Sequence, residues 1–141
     1  MSNIEELPMQ ACTASEYESL IAMGTSALDA IPGAVYLCDH QGWLVRYNSE
    51  AAELWGRAPA LGENGDRFCG AYRLFLTDGT PLPFEHCPTA SALNTGIASR
   101  NQEVIIQRPD GSRFVALMNI RALRDRRGVV QGVINCFQDV S

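Results

Sequence analysis

From Glu103 to Ser141 the chain alternates between apolar and polar positions at a period of two, the signature of strands. Glu103–Gln107 is short and β-branched, and Arg108-Pro-Asp-Gly111 follows as a turn. Arg113 to Leu123 then alternates strictly. Phe114, Ala116, Met118, Ile120 and Ala122 share one face, while Arg113, Val115, Leu117, Asn119 and Arg121 share the other. Arg124-Asp-Arg-Arg-Gly128 makes a second turn, read as a solvated loop, and Val129 to Val140 a last strand. Val115 and Leu117 are apolar on the face that also carries arginines, so both faces of this meander need at least partial cover.

Upstream the period changes. Ser15 with Glu18 three residues later forms a capping box. Tyr17, Leu20, Ile21, Gly24, Leu28 and Ile31 then fall on one side of a helix that Pro32-Gly33 ends. Its apolar stripe needs a partner, either Val115 and Leu117 on the outer face of the sheet or a second copy of the helix. Ala34–Cys38 and Trp43–Tyr47 read as a hairpin around Asp39-His-Gln-Gly42. Asn48 caps a short helix, Glu50–Trp55, stopped by Gly56. Arg57–Asp66 is a loop, and Arg67–Leu76 fits a helical turn or a strand equally well. Thr77-Asp-Gly79 is a turn and Pro81-Leu-Pro83 is extended. Glu85–Asn94 reads as a helix with Pro88 in its first turn. Met1–Ala14 has little periodicity and is expected to fray. The chain divides into an N-terminal segment with its amphipathic flanking helix, 1–27, and a domain, 28–141. The expected architecture is α+β, one five-stranded antiparallel sheet with short helices across one face and the N-terminal helix across the other.

Composition narrows the partners. The 141 residues suffice for one domain with its own core. A net charge of −5 argues against nucleic acid and anionic membranes as partners. No apolar run approaches the ~20 residues of a membrane span. The N-terminus carries Glu5 and Glu6 in place of a basic, then apolar, leader. The five cysteines, Cys12, Cys38, Cys69, Cys87 and Cys136, form no C-x-x-C pair, which fits reduced thiols and a cytoplasmic setting.

Three stretches carry a family resemblance. They are Ala30-Ile-Pro-Gly-Ala-Val-Tyr-Leu-Cys-Asp39 with Val45-Arg-Tyr-Asn48 after it, Arg108-Pro-Asp-Gly-Ser-Arg-Phe114, and the closing Asp139-Val-Ser141. In order and spacing they resemble PAS sensory domains, over roughly Leu28–Ser141. Arg67-Phe-Cys-Gly70, Thr77–Pro83, Cys87-Pro88, Ala92-Leu93 and Gly96 are similar to a bacterial subgroup attached to histidine kinases of two-component systems. The resemblance implies the PAS fold with strand order 2-1-5-4-3. It also implies a small-ligand pocket between sheet and helices, lined by Trp55, Phe68, Phe114, Met118, Asn135 and Phe137. It further implies an output module or partner kinase, while the apolar stripe of the N-terminal helix makes Leu20, Ile21, Leu28 and Ile31 the candidate interface of a homodimer. The segment itself carries no catalytic constellation: no phosphate loop, nucleophile elbow or His-rich metal motif is present.

Within that resemblance individual residues suggest chemistry. Glu85-His86 matches the pair that opens the corresponding helix in haem PAS domains, so His86 is the candidate axial ligand, with Cys87 beside it as a thiolate alternative. A haem gas or redox sensor is thus one alternative, and a ligand-free dimerisation adaptor with a filled core is another. His40, two residues after Cys38, lacks a second pair that would complete a metal site. Cys69 invites comparison with the flavin-reactive cysteine of light-sensing relatives. Its context, Arg67-Phe-Cys-Gly-Ala71, departs from theirs, and flavin photochemistry is not expected. Asn135 is the polar residue on the Val133/Phe137 face and needs hydrogen-bond partners if buried.

Overall fold

The computed structural model describes residues 15–63 and 65–141. Met1–Ala14, with Cys12, lie outside the described residues. The capping box forms: Ser15 Oγ accepts from Glu18 N at 3.1 Å, and Glu18 Oε1 accepts from Ser15 N at 3.3 Å. It opens helix α1, Glu16–Asp29, which is broken inside at Gly24. There φ is 75° and ψ −179°, a conformation essentially confined to glycine.

Strands β1 (Ala34–Asp39) and β2 (Leu44–Tyr47) pair as the expected hairpin. Helix α2 is Ser49–Trp55. A short strand β3, Arg73–Phe75, comes next, followed by a single tight helical turn at Phe84–His86 and helix α3, Pro88–Thr95. The meander is β4 (Ser99–Gln107), β5 (Arg113–Arg124) and β6 (Val130–Asp139). All pairs are antiparallel, and the order is β2-β1-β6-β5-β4-β3. This is the expected 2-1-5-4-3 sheet with one strand added at its edge.

Three departures from the sequence reading have local causes. A three-residue strand shows no readable period, so β3 is visible only through its pairing of Leu74 with Ile106 and through the bridge from Phe75 to Pro81. The helix read over Glu85–Asn94 is split, because the residue before a proline is pushed out of the helical region. Cys87 accordingly sits at φ −74°, ψ 165° and caps α3 rather than continuing into it. Strand β4 begins four residues early and absorbs a bulge at Asn101, whose φ of 53° suits asparagine.

The sheet has two different faces. On the inner face Tyr36, Trp55, Leu74, Val104, Ile106, Met118, Ile120, Val133 and Phe137 form one buried core under α2 and α3. On the outer face α1 covers one end, and its Leu28, Tyr17 and Leu20, with Ile31 just past the helix, pack with Val35, Leu37, Val45, Leu123 and Ile134. Val115 and Leu117 are not under that helix and remain half-buried, which corrects the expected contact with them. Strand β1 is buried on both faces, which explains its unbroken apolar run. Gly132 admits the aromatic ring of Tyr17: a Cβ there would lie 2.6 Å from it and 2.3 Å from the Cys38 carbonyl.

Candidate functional site

The interior between sheet and helices is organised by one tyrosine. Tyr36 lies mid-β1 with no exposure, and a buried phenol needs partners. Its hydroxyl donates to Phe68 O at 2.8 Å, shares a 2.7 Å hydrogen bond with Thr89 Oγ1, and accepts from Asn135 Nδ2 at 3.1 Å. Asn135 stands directly opposite Tyr36 across the β1–β6 pairing. Four segments thus meet on one oxygen: β1, the loop after α2, α3 and β6. Burial, with Cys69, Cys38 and Cys87 nearby, pushes the phenol well above its ordinary pKa, so it stays neutral.

Aromatic rings close around this knot. Trp55 stacks on Phe137 with centroids 5.6 Å apart and planes at 20°, and meets Tyr36 at 5.4 Å and Tyr47 at 5.6 Å. Gly70 makes room for the indole, since a Cβ there would lie 2.4 Å from it. Two buried polar atoms have no hydrogen-bond partner among the described residues, Trp55 Nε1 and Asn135 Oδ1. The six residues singled out from the sequence, Trp55, Phe68, Phe114, Met118, Asn135 and Phe137, are all buried, and the five apolar ones share one core. Tyr36 packs with Trp55 and Phe137 inside that core.

Phe68 is the strained member. Its φ of +69° is unusual for a bulky residue and costs on the order of 1–3 kcal/mol. Its N–H donates to Gly42 O at 2.7 Å, its carbonyl accepts from Tyr36, and its ring lies against Gly42. The loop is also clasped by Arg57, which pairs with Asp66 and donates to Gly70 O at 2.6 Å. Outside this clasp a cleft of about 310 Å³ opens to solvent, with Cys69 and Ala71 among its lining residues.

Three of the thiols are buried, whereas Cys136 is exposed. Cys38, Cys69 and Cys87 are buried and unbridged. Burial raises Cys38 well above its ordinary value, pushes Cys69 up to about 12 and raises Cys87, so none is a thiolate near neutrality. His86 stands exposed on the turn before α3, outside the core. An axial His86 therefore does not fit a haem seated between α3 and the sheet, where Trp55, Tyr36, Phe137 and Met118 already pack. His40 is exposed in the β1–β2 turn, and the described residues contain no group of three metal-ligating side chains. Of the four residues read as an interface, Leu28 has no exposed surface, while Leu20, Ile21 and Ile31 are half-buried.

Sequence reading missed Tyr36 and Thr89. The available signal was a tyrosine amid an apolar strand facing an asparagine on the last strand, two polar tips that burial forces to pair. It also understated Asn48. Beyond capping α2 through Ala51 N at 3.0 Å, Asn48 accepts from Val35 N at 3.1 Å and donates to Leu28 O at 3.1 Å and Gly33 O at 2.8 Å. It thereby ties α1 to the sheet.

A PAS domain family profile matches residues 32–141. The chain belongs to the PAS domain family. Solved PAS structures agree on the fold. One was determined to study a flavin analogue in a light-oxygen-voltage domain; it superposes with a TM-score of 0.60 at 25% identity over 82% of this chain and 83% of that one. The PAS domain of the fruit-fly ELK potassium channel gives 0.62 at 19% identity over 86% and 95%. An RNA-binding light-oxygen-voltage receptor gives 0.60 at 24% identity, covering 97% of this chain and 37% of that receptor. No curated protein matches the chain. PAS domains are in general signal-sensing modules, and no helix among the described residues is long and apolar enough to cross a membrane.

Proposed function

We propose that this PAS domain receives a signal as a small ligand or partner contact on its helical layer and passes it through β6 and α1 to an output module, by way of a homodimer. A histidine kinase is the output that the sequence resemblance favours, and the segment itself performs no catalysis. One observation carries this reading. The Tyr36 hydroxyl joins the Phe68 loop and α3 to Asn135 on β6, so a shift in the helical layer reaches the strand that ends the domain. A ligand or partner acts here only by preferring one of two arrangements of that junction.

A second reading, a ligand-free dimerisation adaptor, is favoured by the dense packing of Trp55, Tyr36 and Phe137. Both readings need a dimer. With Leu28 buried, the dimer face on α1 narrows to Ile21 and the exposed Met23. Light scattering should give twice the chain mass for the wild type and the single mass for the double variant Ile21→Asp, Met23→Asp. A monomeric wild type, or a variant that keeps the dimer mass, overturns transmission through this face.

A further inference from the structure

Outside the packed aromatic core lies the cleft beside Phe68, whose volume of about 310 Å³ sits at the lower end of the roughly 300–1,000 Å³ range of small-molecule sites. Its charges are already sorted. Arg57 and Asp66 neutralise each other. Arg67 is held by its Nε, which donates to Gln41 O at 2.6 Å, and by stacking on the Trp43 and Phe68 rings at 5.4 and 4.8 Å. Its terminal nitrogens have no partner among the described residues, and neither has the Glu85 carboxylate on the turn before α3. The cleft therefore presents one fixed fork of cationic donors, one free carboxylate and an aromatic lining of Phe68, Tyr72 and Phe84.

From this set we infer that the cleft is a binding site for a small zwitterion with an apolar or aromatic body, of the amino-acid class. The ligand carboxylate pairs with Arg67, whose planar fork suits bidentate contact, and its ammonium pairs with Glu85. The body lies on the aromatic rings. A plain anion would face Glu85 and Asp66, and a plain cation would face both arginines, so the site favours a molecule of both signs. The inference extends the sensor reading by naming a ligand class. The ligand would rest on Phe68, whose carbonyl holds the Tyr36 hydroxyl.

Isothermal titration of the full chain with L-phenylalanine tests it, using L-phenylalaninamide and hydrocinnamate as probes lacking the carboxylate or the ammonium. L-phenylalanine should bind at least about tenfold more tightly than either. Arg67→Gln should weaken L-phenylalanine about tenfold and leave the amide unchanged, and Glu85→Gln should weaken both L-phenylalanine and the amide about tenfold while leaving hydrocinnamate no weaker. Glu85 is exposed, so its variant folds as the wild type does. Absence of L-phenylalanine binding at roughly 10 mM, or binding that neither variant changes, overturns the site. Binding without any change in dimer mass or in β6 would leave the site standing and remove the sensor reading instead.

Discussion

Strands β5 and β6 show two unlike surfaces on the same backbone. Facing inward, Ala116, Met118, Ile120, Val133, Asn135 and Phe137 are buried. Facing outward, Val115, Leu117 and Ile134 are half-buried, while Asn119, Arg121 and Cys136 are exposed. The pleat alone separates them. The inner face holds specific contacts, stacked rings and a shared hydroxyl, beside two buried polar atoms that have no hydrogen-bond partner among the described residues. The outer face is covered at one end only, by a helix that is broken at Gly24 and packs through a smaller apolar cluster. Specific contacts therefore concentrate inside, and the proposed function leaves the outer face to association.

The largest effect that would sharpen this contrast is truncation of Trp55. Trp55→Ala should destabilise the domain by about 3–5 kcal/mol in urea unfolding, whereas Leu117→Ala should cost below about 1 kcal/mol. Equal costs would break the distinction between the faces.

A titration comes next. Burial keeps the Cys69 thiol protonated in the folded chain up to about 12, against an ordinary value of 9.0. Between those values the folded state binds more protons than the unfolded one, so stability falls as pH rises from about 9 toward 12. Cys38, Cys87 and Tyr36 are shifted in the same direction. Cys69→Ala should flatten the fall in part, read from urea midpoints at pH roughly 8 and 10.5. A difference between those midpoints as large as in wild type would mean that Cys69 is not held neutral.

The smallest effect lies on the outer face. Arg121 donates to Glu16 at 2.8 Å, with both side chains more than half exposed. Glu16→Ala should change stability by about 0.5 kcal/mol or less. A larger loss would show that α1 is anchored more firmly than its contacts imply.

Much of the inner face was legible in the sequence, because alternation in β5 and β6 fixes which side chains turn inward and the capping signals at Ser15 and Asn48 act locally. The family followed from short motifs whose spacing the fold preserves. The added strand β3 was not legible, since three residues carry no period. The break at Cys87 was available in principle from Pro88, yet helix-favouring residues after it obscured the boundary. Tyr36 escaped notice because its role depends on Phe68, Thr89 and Asn135, which are 32, 53 and 99 residues away. Long-range polar pairing of that kind leaves no periodic trace.

The most direct test of the account is amide hydrogen exchange on Tyr36→Phe beside the wild type. Loss of the hydroxyl should lower protection together in the Phe68–Ala71 loop, in Thr89–Ala92 of α3 and around Asn135 of β6, by about tenfold or more, while Ile105 and Val115 on the β4–β5 pair keep theirs. A uniform change across the whole sheet, or no change at all, would contradict the claim that this one hydroxyl couples the helical layer to the last strand.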